Sequence, residues 1–111
     1  MYNKYHNKKI ETNGIIFDSV KEYRRFNELK LLEKAGVIKN LELQKKFLLQ
    51  PSYTNIEGKH IREISYIADF YYIENGKEVV EDVKSPATRT QVYLIKKKMF
   101  EYKYDLVIKE L

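Results

Sequence analysis

The chain contains no cysteine, only two prolines and four glycines in 111 residues, and no long apolar run. Without cysteine there can be neither disulfides nor thiolate zinc sites, which accords with a reducing interior. No stretch approaches the length of a membrane span. Met1 to Lys9 is polar and basic with no apolar segment behind it, so nothing there reads as a signal peptide, and residues 1–7 are expected to form a flexible N-terminal segment. The glycines never gather into a phosphate-cradling loop, and His6 and His60 have no ligand-like spacing to one another or to a cysteine. No Ser/His/Asp triad is discernible, and neither repeats nor low-complexity tracts interrupt the chain.

What is present points to a folded chain. Hydrophobic residues make up 43% and aromatics 14%, enough for one buried core and one domain over residues 1–111. The net charge is +5, from 21 Lys and Arg against 16 Asp and Glu. Its distribution is uneven. Between Lys84 and Lys103 there are six basic residues (Lys84, Arg89, Lys96, Lys97, Lys98, Lys103) and one acid, Glu101. Such a field suits a polyphosphate partner, which binds by releasing counterions. Charge alone is equally consistent with a solvated basic helix face.

Asn13-Gly14 joins Lys8–Glu11 to Ile15–Phe17 as a short hairpin, because this dipeptide tolerates the positive φ that a two-residue turn needs. Ser19 is a good N-cap, with Glu22 at capping-box spacing and Gly36 at the helix end. The apolar arc of that helix (Val20, Tyr23, Phe26, Leu29, Leu31, Leu32, Ala35) is wide enough to predict burial on more than one side. Strands are predicted over Leu41–Leu49, Ile61–Ile73 and Glu78–Lys84, the last stopped by Ser85-Pro86. A second helix over Thr90–Lys103 and a closing strand over Leu106–Leu111 complete the order hairpin-α-β-β-β-α-β, an α/β sheet flanked by helices.

A two-residue turn at Asn75-Gly76 fixes the register of the clearest hairpin: Glu74 faces Lys77, Tyr71 faces Val80, and Asp69 faces Asp82. Side chains alternate at period two, so Asp69, Asp82 and Lys84 share one face. Opposite residues have Cβ atoms roughly 4.5–5.5 Å apart, where like charges destabilise. The flanks are apolar (Ile67, Ala68, Phe70; Val79, Val80, Val83), and charge buried there needs compensation. A divalent cation is the simplest compensation for two carboxylates. Magnesium takes oxygen ligands and is commonly held by one or two carboxylates with substrate phosphate. A lysine beside it can orient the attacking water or neutralise a pentavalent phosphorane. The plain alternative is a salt bridge from Lys84 to Asp82 or Asp69 on a solvated face.

Asp69, followed after a hairpin by Asp82-Val83-Lys84, resembles the PD-(D/E)XK nuclease superfamily, whose pattern is an acid, a gap, then acid-any-lysine on adjacent strands. Phe17-Asp18-Ser19 with Glu22, Leu41-Glu42-Leu43-Gln44, Tyr66-Ile67-Ala68-Asp69-Phe70 and Val80-Glu81-Asp82-Val83-Lys84 resemble small phage-encoded proteins of that superfamily. The likeness runs from Lys8 to Leu111, with Ala68 standing where a proline is usual. It implies a restriction-endonuclease-like mixed sheet and a magnesium-dependent nuclease acting on DNA, with manganese as the alternative cation. Asp69 and Asp82 would be the metal ligands, Lys84 the catalytic lysine, and an acid on the first helix would complete the site. It further implies phage DNA processing or recombination in the host cytoplasm, and a homodimer, since two sites serve to cut two strands.

Glu22 is the matching helix acid. The capping box explains it equally well, but it also lies on a stripe with Phe26 and Leu29 that would turn it inward. Register places Glu81 across from Phe70 on the opposite face, outside the site. Lys96 falls between the stripe Val92, Ile95, Met99 and the pair Tyr93, Phe100. It either snorkels outward or reaches a phosphate, and is grouped with Arg89 and Lys97 as a nucleic-acid contact. Two other functions stay open: a non-catalytic nucleic-acid-binding module on the same fold, and a structural phage protein with incidental basicity.

Overall fold

Two Asn-Gly turns set the local frame. Asn13 and Gly14 have φ of 52° and 80°, and Asn75 and Gly76 have 53° and 74°, so both turns carry positive φ at their two central residues. In the computed structural model, which describes residues 9–111, the first joins β1 (Ile10–Thr12) to β2 (Ile15–Phe17). The second joins β6 (Ile64–Glu74) to β7 (Lys77–Asp82), with Glu74 opposite Lys77, Tyr71 opposite Val80 and Phe70 opposite Glu81. This is the register that the turn predicts. The expectation for residues 1–7 lies outside the described residues.

Helix α1 spans Val20–Lys34. The Ser19 side chain accepts from the Glu22 backbone N–H at 3.1 Å. At the other end Val37 N–H donates to Leu32 O and Gly36 N–H to Glu33 O, a Schellman closure made possible by Gly36 at φ 78°. Helix α2 spans Gln91–Tyr104, capped by the Thr90 hydroxyl and closed by Asp105 in the left-handed region. Strand β3 runs Ile38–Gln50, and β8 runs Ile108–Glu110.

The main sheet has the order β3-β6-β7-β8, with the first two pairings antiparallel and β7–β8 parallel. Helix α2 is the crossover between those parallel strands. Adjacent residues of β7 point to opposite faces: Val80 packs with Phe100 and Tyr93 of α2, while Val79 packs with Leu29 of α1. The helices therefore cover the two faces of the sheet. The architecture is α/β with a mixed sheet, compatible with a small α/β nuclease-like fold.

Three details differ from the sequence expectation. Ile61 belongs to a separate small hairpin, β4 (Tyr53–Thr54) with β5 (His60–Ile61), and the long strand starts at Ile64. Helix α1 is not buried on more than one side, since Leu31 is 68% exposed and Val20 is also exposed. On α2 the face turned inward carries Tyr93 and Phe100, while Val92 and Ile95 of the other stripe are exposed. A helix laid on one face of a sheet buries only the stripe turned toward it, so surplus apolar residues stay in solvent.

Helix α1 is tied to the sheet by charge as well as by Leu29. Arg25 donates from Nε to Glu81 Oε1 at 2.8 Å and from Nη2 to Glu81 Oε2 at 2.6 Å, and the Tyr72 hydroxyl donates to the same carboxylate. Glu81 is wholly buried. Arg25→Met removes the bidentate partner of that carboxylate and leaves only Lys109 Nζ, at 4.0 Å, as a counter-ion, so unfolding free energy from urea melts should fall by up to about 3–5 kcal/mol. Arg25→Met combined with Glu81→Leu should recover most of the loss. A single variant as stable as the wild type would show that the pair contributes nothing.

Candidate active site

The β6–β7 ladder stops at Phe70 opposite Glu81, one step short of the Asp69 and Asp82 positions. There the strands are joined by a side chain instead. Val83 N–H donates to Asp69 Oδ2 at 2.9 Å, and Gln44 Nε2 donates to Asp69 Oδ1 at 3.3 Å. Asp82 is 2% exposed. It accepts from the Tyr66 hydroxyl at 2.8 Å, and Lys84 Nζ lies 3.3 Å from its Oδ2. The Lys84 ammonium also sits 4.0 Å from the centre of the Tyr93 ring, a cation–π seat provided by α2. The lysine bridge weighed from sequence is thus present, but it lies on a buried carboxylate and not on a solvated face.

Glu22 comes from the opposite layer. Only the Ser19 half of a capping box is formed, and the Glu22 side chain turns inward, 4% exposed. Asp18, Ser19, Glu22, Asp69, Lys84 and Thr88 line one cavity of about 270 Å³ between the start of α1 and the loop after β7. Burial, then the Asp69 and Asp18 charges, push the Glu22 carboxyl up to about 7. Asp82 is raised likewise, by burial and by Asp69, while Lys84 and the Tyr66 hydroxyl pull it down. Carboxyls raised first by burial and then by neighbouring charge, beside a cleft, are the kind of groups found at functional sites.

The donor set suits a hard divalent cation, being all oxygen and anionic, with neighbours that repel until a cation intervenes. Asp69 and Asp82 would hold it, with Glu22 close by. Among the described residues no group of three or more acidic, histidine or cysteine side chains forms a ready cage. Magnesium asks for less, since one or two carboxylates with waters suffice.

The candidate nucleic-acid contacts are more engaged than their charge suggests. Arg89 Nε donates to Glu110 Oε1 at 2.8 Å, and Lys97 Nζ lies 3.5 Å from Glu110 and 3.7 Å from Glu101. Lys96 is half-buried on the α2 flank and has no ion-pair partner among the described residues. An open groove next to the cavity is lined by Lys21, Lys84, Ser85, Pro86 and Arg89 together with Glu110 and Leu111. Sequence reasoning missed Lys21, Gln44, Tyr66 and Tyr93. Gln44 and Tyr66 lay in segments that carry the resemblance and Tyr93 in an apolar pair of the second helix, but no sequence pattern gave any of them a role, and Lys21 carried no signal at all. No described helix is long and apolar enough to cross a membrane.

The chain belongs to a protein family described as a protein of unknown function (DUF1064), whose family model matches residues 2–110. No curated protein and no solved structure matches it.

The raised Glu22 carboxyl makes stability depend on pH. Between its unfolded value of 4.5 and about 7, the folded state holds a proton that the unfolded state has lost. Stability contributed by Glu22 therefore falls as pH rises through that window and levels off above it. Thermal melts of the metal-free protein should show this decline, to which Asp82, raised likewise, adds, and Glu22→Gln should make it shallower. An identical pH profile for the variant would place Glu22 in solvent.

Proposed function

We propose that this protein is a metal-dependent nuclease that hydrolyses DNA phosphodiester bonds. The observation that carries the reading is the pair of buried Asp82 with Lys84 at the end of β7, whose lysine lines one cavity with Asp69 and Glu22. Together with the resemblance in Asp69, Asp82-Val83-Lys84 and the element order, it supports phosphodiester chemistry over a structural ion pair. Asp69 and Asp82 would hold magnesium, or manganese, which when bound would supply Lewis-acid activation of water and of the scissile phosphate.

The chain's own groups do the rest. Lys84 orients the attacking water or neutralises charge on the phosphorane, and Tyr93 and Asp82 hold its ammonium in place. Glu22, with a carboxyl near neutrality, takes the proton from the water as its oxygen bonds to phosphorus and the ester oxygen leaves. Lys21, Arg89, Lys96 and Lys97 supply the field for the DNA backbone. A homodimer with one site per strand, and a place in phage DNA processing or recombination in the host cytoplasm, follow from the same resemblance.

A second reading, a nucleic-acid-binding module without catalysis, rests on the open groove lined by Lys21, Lys84 and Arg89. Magnesium separates the two. Asn at position 69 keeps an oxygen to accept from Val83 N–H but removes a charge from beside Asp82 and Glu22. Metal-free Asp69→Asn should melt at or above the wild type, lose cleavage, and lose the rise in melting temperature that magnesium gives by binding only the folded state. A less stable variant, beside a wild type indifferent to magnesium, would sink the metal-site reading.

Two further outcomes are expected. Lys84→Met should abolish cleavage in a magnesium assay on branched and linear DNA while binding persists, and full retained activity would remove Lys84 from the mechanism. DNA affinity should fall steeply with salt, and Lys21→Ala or Arg89→Ala should each flatten the slope by about one unit. Salt-insensitive binding would argue against a DNA partner.

A further inference from the structure

Five non-glycine residues among those described have positive φ, and four of them are Asn13, Asn40, Asn75 and Asp105. Asparagine and aspartate tolerate the left-handed region. The fifth is Gln44, at φ 52°, in the interior of β3 and not in a turn. A residue type with no preference for this conformation is held there by its surroundings, and such strain gathers where a side chain has a task.

The strand changes face at this residue. Leu43 packs in the cluster under α1, whereas Lys45 lies over the Phe47 and Tyr71 rings of the cluster under α2. Two residues apart on a regular strand would share a face. The neighbouring strand breaks step in the same place, with Ala68 packed on the α2 side and Phe70 on the α1 side. The two breaks flank Gln44 and Asp69, and these side chains meet: Gln44 Nε2 donates to Asp69 Oδ1 at 3.3 Å.

We propose that Gln44 is a positioning residue for Asp69, and that its left-handed backbone exists to aim its amide at that carboxylate. The proposal rests on the nuclease reading for its purpose, though not for its geometry. With Val83 N–H on Oδ2 and the Gln44 amide on Oδ1, each carboxylate oxygen has one N–H donor. The plane of the group is then set, and its remaining lone pairs are left for a cation. Groups in this position around a metal ligand commonly change metal affinity by about tenfold or more.

The test uses Gln44→Gly and Gln44→Asn in the full chain. Both residues accept φ near 52°, and neither carries an amide as far as Asp69. Glycine relieves the strain, so Gln44→Gly should melt at or above the wild type. In metal-free protein the Val83 amide should exchange with solvent about fivefold to tenfold faster in both variants, as expected for the loss of one net hydrogen bond's worth of order. The Lys84 amide, bonded to Leu111 O, is the internal control and should not change. In a wild type that responds to magnesium, the magnesium midpoint of the melting-temperature shift should rise about tenfold or more in both variants. Unchanged Val83 exchange, or an unmoved magnesium midpoint, overturns the proposal. A wild type that neither responds to magnesium nor cleaves DNA overturns the nuclease reading instead, and the Val83 exchange then still decides whether Gln44 orders Asp69.

Discussion

The bidentate pair between Arg25 and Glu81 holds the layers of this protein in the relation its candidate site requires. Glu81 and Asp82 are consecutive residues on β7 and point to opposite faces, so one dipeptide serves both the clamp and the site. Arg25 and Glu22 are three apart on α1 and lie on one side of the helix. Drawing Arg25 onto the sheet therefore carries Glu22 toward Asp69. Tyr72 adds a hydroxyl to the clamp from the neighbouring strand, so α1, β6 and β7 meet at one buried carboxylate. Removing a counter-ion from such a pair is costly because the remaining charge has no water to turn to.

Around Asp69 the electrostatics run the other way. The clamp is compensated, whereas the acids in and beside the cavity repel one another: burial and like charge raise both Glu22 and Asp82. Tyr66 and Lys84 compensate Asp82 only in part. A sequence selected for stability alone would not place three acids so close to an apolar sheet. The imbalance is what a cation-binding or proton-transferring site looks like before its partner arrives. Glu110 offers a contrast on the same molecule, where Arg89, Tyr93 and Lys97 converge and hold its carboxyl down at about 2.

The basic segment shows how tertiary pairing changes the meaning of charge. Along the chain, Arg89 and Lys97 read as free cations in a run with one acid, yet Glu110 on the last strand meets both. Their role toward a polyphosphate would then involve exchange of partners, with the carboxylate giving way to phosphate. Lys21 enters the same groove from α1, at a position no sequence pattern marks.

Local signals in the sequence determined the turns, the caps and the hairpin register. Asn-Gly pairs, Ser19 and Thr90 act through their own φ/ψ preferences or through bonds three residues away, and those effects do not wait for the fold. Side-chain alternation from Asn75-Gly76 was enough to put Glu81 and Asp82 on opposite faces, but it breaks at Asp69, which is tied to β7 through Val83 N–H and not as a facing pair. The choice for Glu22 between cap and site depended on what covers α1, and only the sheet decided it. Tertiary structure alone turned Leu31, Val92 and Ile95 outward, because a helix packed on one face of the sheet buries only the stripe turned toward it. It alone placed Gln44 against Asp69, by breaking the alternation of two strands at once. Periodicity cannot report a break in itself, and a left-handed glutamine has no signature in one dimension.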